Sequence, residues 1–298
     1  MKWLSGVPVC EEILNGIKEG LSGPLKRAPC LVFLLVGDHG PSKSYVSMKA
    51  KACERVGIIS RVITLDQEVS YIVLKDLITD LNNDETVDGI IIQMPLPKGL
   101  EKLPLMIDPS KDVDGFTPKN MGKLVLEDFT GFIPCTPQGI FYLLRYYNLS
   151  CDNKHVVIMG RSHIVGKPLV NLLSSRINGA NATVTCVHSG TKDVKSITKM
   201  ADILIVAIGQ AELIDASYVK KGACVIDVGI NRIDGKIVGD CKADSLQQTV
   251  SYLSPVPGGV GPMTIACLLL NTYLSYKEKF KTIGSSKLVF EDHLLLRN

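Results

Sequence analysis

The chain has 298 residues, 46% of them hydrophobic and 21% charged, which suits one large or two ordinary globular domains with a sizeable core. Its 33 basic and 30 acidic residues leave a net charge of +3, too balanced for nucleic acid as the main partner, although a small polyanion is compatible. Nine scattered cysteines without a Cys-x-x-Cys pair, and five histidines without ligand spacing, argue against a disulfide framework and against a metal site.

In chain order, the N-terminus "MKWLSGVPVCEEILNG" is broken at Gly6, Pro8 and the Glu11-Glu12 pair, so it is not a signal peptide. No later apolar run approaches the ~20 residues of a membrane span. A cytoplasmic protein without a membrane partner is therefore expected. A helix is predicted at 9–21, then a strand in "CLVFLLVG" (30–37), a helix at 43–56, a strand in "ISRVITL" (59–65), a helix at 70–83 and a strand in "VDGIIIQM" (87–94). From 97 to 136 five prolines break any period, which reads as irregular structure shaping a cleft. The alternation resumes with a helix at 137–149, capped by Thr136 with Pro137 in its first turn. A strand at 154–160, a helix at 166–177 and strands at 182–188, 202–209 and 223–229 follow, and a last helix at 262–280 precedes a polar tail.

The strands are continuously apolar instead of alternating, which implies parallel sheets covered on both faces. The fold class is α/β: two α/β domains around a cleft, the second a Rossmann-like doubly wound parallel sheet. The first domain is expected at 1–136, joined by a returning C-terminal segment at 262–298, and the second at 137–261.

One helix carries an oddity. At about 3.6 residues per turn, Val46, Met48, Ala52, Cys53 and Val56 share an arc with Tyr45, and Lys49 falls near its middle, whereas Lys51, Glu54 and Arg55 face away. A lysine on an apolar stripe either snorkels to water or lines a cleft, where burial would lower its proton affinity and suit it to proton transfer. Gln93 stands at the carboxyl end of a buried strand, where open α/β sheets bind ligands. Asp112 and Asp114 precede Gly115 in a turn-like "KDVDGF".

The strand ending at Gly160 runs into "GRSHIVGKP", where Gly160, Ser162 and Gly166 depart from the three-glycine dinucleotide fingerprint but keep strand, glycine turn and helix in order. The next strand ends at His188, Ser189 and Thr191, with no acid before Asp193 to bind a ribose diol, and Arg161 lies in the cradle itself. That pattern favours NADP over NAD. In "SPVPGGVGPMT", prolines stiffen a segment that Gly258, Gly259 and Gly261 leave bare enough to approach a flat ligand.

Together "YVSMKAKACERVGI", "IIIQMPLP", "KDVDGF", "PCTPQG", "GRSHIVGKP", "ATVTCVHSGT" and "SPVPGGVGPMT" resemble, in family order, the bifunctional methylenetetrahydrofolate dehydrogenase and methenyltetrahydrofolate cyclohydrolase family. The resemblance implies a homodimer that acts on tetrahydrofolate substrates, polyglutamylated or not. NADP would oxidise 5,10-methylenetetrahydrofolate to the methenyl form, and water would open that cation to 10-formyltetrahydrofolate. Lys49 matches the family's catalytic lysine, Gln93 its hydrogen-bonding partner, Tyr45 the tyrosine stacked on folate and Asp114 the carboxylate that holds the pterin's amino edge. Pro257, Gly258 and Gly259 would shape the floor of the substrate site; Gly160, Arg161, Ser162, Val165, Gly166, His188, Ser189 and Ile230 would bind the cofactor. The chain departs from the pattern at His39-Gly40-Pro41 before Ser42, at Met94, at Cys186-Val187 and, more widely, at 239–246. Two other readings are a cyclohydrolase without hydride transfer and a non-catalytic NADP-binding sensor. The retained Gly160, Arg161, Ser189 and Gly-Gly-Val loop weigh against the first, and the retained Tyr45, Lys49 and Asp114 against the second.

Overall fold

The computed structural model describes residues 1–280, in two units. One unit comprises Met1–Glu11 with Pro134–Thr264; the other comprises Glu12–Ile133 with the chain from Ile265 onward. The segment expected to return at 262–298 is described as far as residue 280, and the rest, with the polar tail, lies outside the described residues.

The chain begins with β1 (Lys2–Trp3) and α1 (Val7–Gly20) and then alternates through β2 (Cys30–Val36), α2 (Gly40–Val56), β3 (Ile59–Leu65), α3 (Tyr71–Asn83) and β4 (Gly89–Ile92). The last three strands form a parallel sheet in the order β3-β2-β4. The chain passes from β2 to β3 on one side and crosses back to β4 on the other, which puts a topological switch point at the carboxyl ends of β2 and β4. All residues of β2 and β4 are buried, as their unbroken apolar runs require, against Leu74, Ile78 and Leu81 of α3. β3 differs from the expectation of full coverage. It is an edge strand with polar Ser60, Arg61 and Thr64, and its Ile59 and Val62 are 52% and 47% exposed.

The proline-rich run from 97 to 136, expected to be irregular, holds a 3-10 turn at Leu103–Met106 and the helix α4 (Pro118–Val125). Pro118 opens α4 instead of breaking it: at the first helical position its missing N–H costs nothing and its fixed φ is already helical.

The other unit contains α5 (Cys135–Tyr146), β5 (His155–Met159), α6 (Gly166–Ser174), β6 (Thr183–Val187), α7 (Val194–Thr198), β7 (Ile203–Val206), β8 (Cys224–Asp227), the hairpin β9 (Asn231–Ile233) and β10 (Lys236–Val238), α8 (Ala243–Leu246), β11 (Tyr252–Leu253) and α9 (Val260–Lys279). Its parallel sheet runs β6-β5-β7-β8-β11-β1. Direction reverses at β5, so a second switch point lies between the carboxyl ends of β5 and β7. Inward residues such as Val157, Leu204, Val206 and Val225 pack with Leu246, Val250 and Leu253 into one core. Because β1 pairs with β11, the first eleven residues belong to this unit, although the sequence reading put them with the first domain. Thr136 is not a cap: α5 starts at Cys135 behind Pro134, and the Thr136 hydroxyl meets that of Thr264 at 3.1 Å.

All nine cysteines are free, and Cys186 is the one not fully buried. Burial pushes the Cys53 and Cys151 thiols up to about 12, so they are neutral and act as small apolar groups. No helix among the described residues is long and apolar enough to cross a membrane.

Candidate active site

Two sets of residues gather at the two switch points. In the Glu12–Ile133 unit, Lys49 is 8% exposed, although it carries a charge. It shares the inner face of α2 with buried Val46, Cys53 and Val56, which stand three, four and seven residues away, the spacing of one helical face. Met48, expected on that stripe, lies at its edge and is 49% exposed. The Lys49 Nζ donates to Gln93 Oε1 at 3.1 Å. Gln93 is fixed from both sides: its backbone N–H extends the sheet by donating to Leu34 O at 2.9 Å, and its Nε2 donates to Met94 O at 3.1 Å. The amide therefore turns its carbonyl to the ammonium. Gln93 takes one of the three ammonium donors. Tyr45, one turn earlier on α2, is half-buried.

Sequence reading missed the support behind this pair. Met94 O also accepts the buried Ser42 hydroxyl at 3.3 Å, and His39 Nδ1 lies 3.0 Å from the same hydroxyl. The departure at His39-Gly40-Pro41 thus leaves Ser42 in contact with the Gln93 loop. Residue type alone gave no signal for this, because the contact spans 52 positions.

The two aspartates of "KDVDGF" separate clearly. Asp112 is 2% exposed and accepts the N–H groups of Gly115, Phe116 and Thr117 and the Asn120 side chain, so it builds the turn. Desolvation raises its pKa against those bonds. Asp114, two residues on, is half-buried and takes no part in that scaffold of four bonds.

In the other unit, Gly160 ends β5 at φ +117, and a Cβ there would collide with Ala207 O at the end of β7, so only glycine lets the two strand ends close up. Gly166 opens α6 against the Gly160 carbonyl, behind buried Val165. The cradle differs from the expectation in one respect. The Ser162 hydroxyl already accepts the N–H groups of Val165 and Gly166, at 3.1 and 3.4 Å, so it occupies donors that a phosphate would otherwise take. Positive charge at the mouth comes from the exposed Arg161 and Lys167.

At the end of β6, His188 Nδ1 accepts the Gly190 N–H at 3.1 Å, which puts the imidazole proton on Nε2, and Ser189 is exposed. Asp193, the first acid after this strand, is committed to the N-terminus of α7 through Ser196 N–H and hydroxyl. Ile164 and Ile230 stand 53% and 51% exposed, apolar and open to a flat ring. The segment around Pro257 is used by the fold itself: Gly258 O accepts the Gly6 N–H at 2.8 Å, and bare Gly259 makes room for Pro255 O. Pro257 is exposed. Among the described residues no cluster of His, Cys, Asp or Glu has metal-binding geometry.

Residues 4–114 match the catalytic domain of the tetrahydrofolate dehydrogenase/cyclohydrolase family, and residues 134–280 match its NAD(P)-binding domain. The chain belongs to this family. It is 49% identical to the bifunctional protein FolD of Aquifex aeolicus over 288 residues, covering 95% of this chain and 98% of that one. The crystal structure of the bifunctional FolD enzyme from Campylobacter jejuni superposes with a TM-score of 0.89 at 44% identity, over 94% of this chain and 99% of that one. The Trypanosoma brucei enzyme of the family, solved with NADP and an inhibitor, gives 0.87 at 32% identity, over 95% and 99%. The resemblance read from seven motifs is thereby established across nearly the whole sequence.

Proposed function

We propose that this chain oxidises 5,10-methylenetetrahydrofolate with NADP and hydrolyses the methenyl product to 10-formyltetrahydrofolate. The observation that carries this reading is the buried Lys49 ammonium, 3.1 Å from the Gln93 carbonyl at a sheet switch point, in a chain of this family. The unit that contains Glu12–Ile133 binds the folate, and Pro134–Thr264 binds the cofactor.

Hydrolysis of the methenyl cation needs a proton removed from attacking water and a proton delivered as the ring opens. Lys49 is the group for both: as the neutral amine it takes the proton from the attacking water, and as the resulting ammonium it returns that proton to the ring nitrogen whose bond to the one-carbon unit breaks, while Gln93 holds its Nζ in one place. Tyr45 offers an aromatic face to the pterin system, and Asp114 a carboxylate to its amino edge. NADP supplies the hydride acceptor for the oxidation, and the chain's share is alignment. The cradle fits a 2′-phosphorylated dinucleotide, because Arg161 is exposed beside it and the first acid after β6, Asp193, is already bound. With methylenetetrahydrofolate under anaerobic conditions, methenyl absorbance should rise with NADP much faster than with NAD. Arg161→Gln should raise the KM for NADP about tenfold and leave that for NAD nearly unchanged. An equal effect on both cofactors would remove Arg161 from 2′-phosphate recognition.

The homodimer is supported by β3, an open sheet edge carrying the exposed apolar residues Ile59 and Val62. Sedimentation should find the wild type dimeric and Val62→Lys shifted towards monomer; a dimer of undiminished affinity would place the interface elsewhere.

A further inference from the structure

We infer that Asp240 is a positioning residue for the cofactor, a role that rests on the NADP reading above. The wall of the crevice opposite Gly160 is the loop that follows β7, residues 207–210, whose first residue donates its N–H to Met159 O at 2.9 Å. Its three successive N–H groups, those of Ile208, Gly209 and Gln210, all point to one carboxylate, Asp240, at 2.7, 3.0 and 2.9 Å. Asn231 Nδ2 adds a fourth donor at 2.9 Å, and Asp240 is fully buried.

A second carboxylate holds the first. Asp227, the last residue of β8, accepts the N–H groups of Asp240, Cys241 and Gly229, each at 2.9 Å. Gly239 lets the two strands of chain approach, since a Cβ there would strike the Asp227 carboxylate. The result ties the loop after β7, the loop after β8 that carries Ile230, and the segment at 239–241 into one piece. Two buried carboxylates receiving seven donors are far more than a surface turn needs, and these lie along the carboxyl edge where dinucleotides bind.

The wide departure at 239–246 bears on the same point. Cys241 meets Asp227 twice, through its backbone N–H at 2.9 Å and through its buried thiol. The β9–β10 hairpin joins the two ends of the brace, turning through Asp234 and Gly235 at φ 48 and 76.

Asp240→Asn keeps the shape but turns an amide NH2 towards groups that are themselves donors. The KM for NADP should rise at least tenfold, while cyclohydrolase turnover of supplied methenyltetrahydrofolate stays within twofold of wild type. Asp240→Glu should not restore it, because a longer arm cannot serve three consecutive N–H groups. An unchanged KM for NADP in the folded variant, or equal loss of both activities, overturns the inference. If Asp240→Asn fails to fold, Asn231→Ala decides: it removes one of the four donors and should raise the KM for NADP two- to fivefold, and no change would overturn the inference. Wild-type enzyme that does not reduce NADP would instead overturn the function on which this rests.

Discussion

Lys49→Met is expected to lose cyclohydrolase activity by about 10^3-fold or more while the protein stays folded. The magnitude follows from what a positioned acid–base group contributes, typically 10^2- to 10^4-fold. The fold should survive because methionine is unbranched, of similar length, and suits a face that already carries Val46, Cys53 and Val56. Removing the ammonium leaves Gln93 Oε1 short of one donor, a cost of about 1–3 kcal/mol. Dehydrogenase activity should fall less, because hydride transfer asks the chain for alignment and not for a proton carrier. The check is methenyl hydrolysis against NADPH formation in the same preparation, with circular dichroism to confirm the fold. Normal hydrolysis by the folded variant would end the assignment of Lys49.

The largest effect on stability is expected at Asp88. Its carboxylate is fully buried and receives Arg27 through both nitrogens, at 2.6 and 2.8 Å, Lys279 Nζ at 3.0 Å and the Cys30 N–H at 2.8 Å. Arg27 also lies over the rings of Tyr276 and Phe280, at 5.4 and 5.5 Å, and the hydrogen bonds it donates to Asp88 raise its pKa above the usual arginine range. One anion thus fastens the start of β2 and the end of α9 to each other. Asp88→Asn should cost about 3 kcal/mol, near the lower end for a broken buried pair, because Arg27 and Lys279 keep a quarter of their side-chain surface in water. In a chain of this size that is a fall in Tm of roughly 6–12 °C. Thermal and urea unfolding would measure it; a loss under about 1 kcal/mol would mean that the two cations pair elsewhere.

Much of this architecture was readable because parallel strands buried on both faces leave unbroken runs such as "CLVFLLV" and "GIII", which solvent-facing segments cannot carry. Lys49 was readable for the converse reason, a charge where the helical period demands an apolar group. What escaped lacks periodic content. β1 and β11 are two residues each: β1 exists by pairing with β11 across some 250 positions of chain, and β11 by lying between β1 and β8. The β9–β10 hairpin did leave a signal, Asp234-Gly235 between short apolar segments, but three-residue strands fall below the length at which alternation is visible. Helix α4 was hidden by reading Pro118 as a breaker when it stands at the one helical position it favours. The Asp227–Asp240 brace and the Ser42 contact behind Gln93 are products of tertiary folding, and a residue's type does not announce which distant backbone it will satisfy.

The division of the chain also sets an order for its biogenesis. One unit needs residues 1–11 and 134–264, and the other needs 12–133 and the stretch that begins at 265. A nascent polypeptide leaving the ribosome therefore cannot finish either half when its first 133 residues emerge. The unit that takes up residues 12–133 is the last to be completed, because it waits for the stretch that begins at 265, and no single cut yields two self-sufficient fragments.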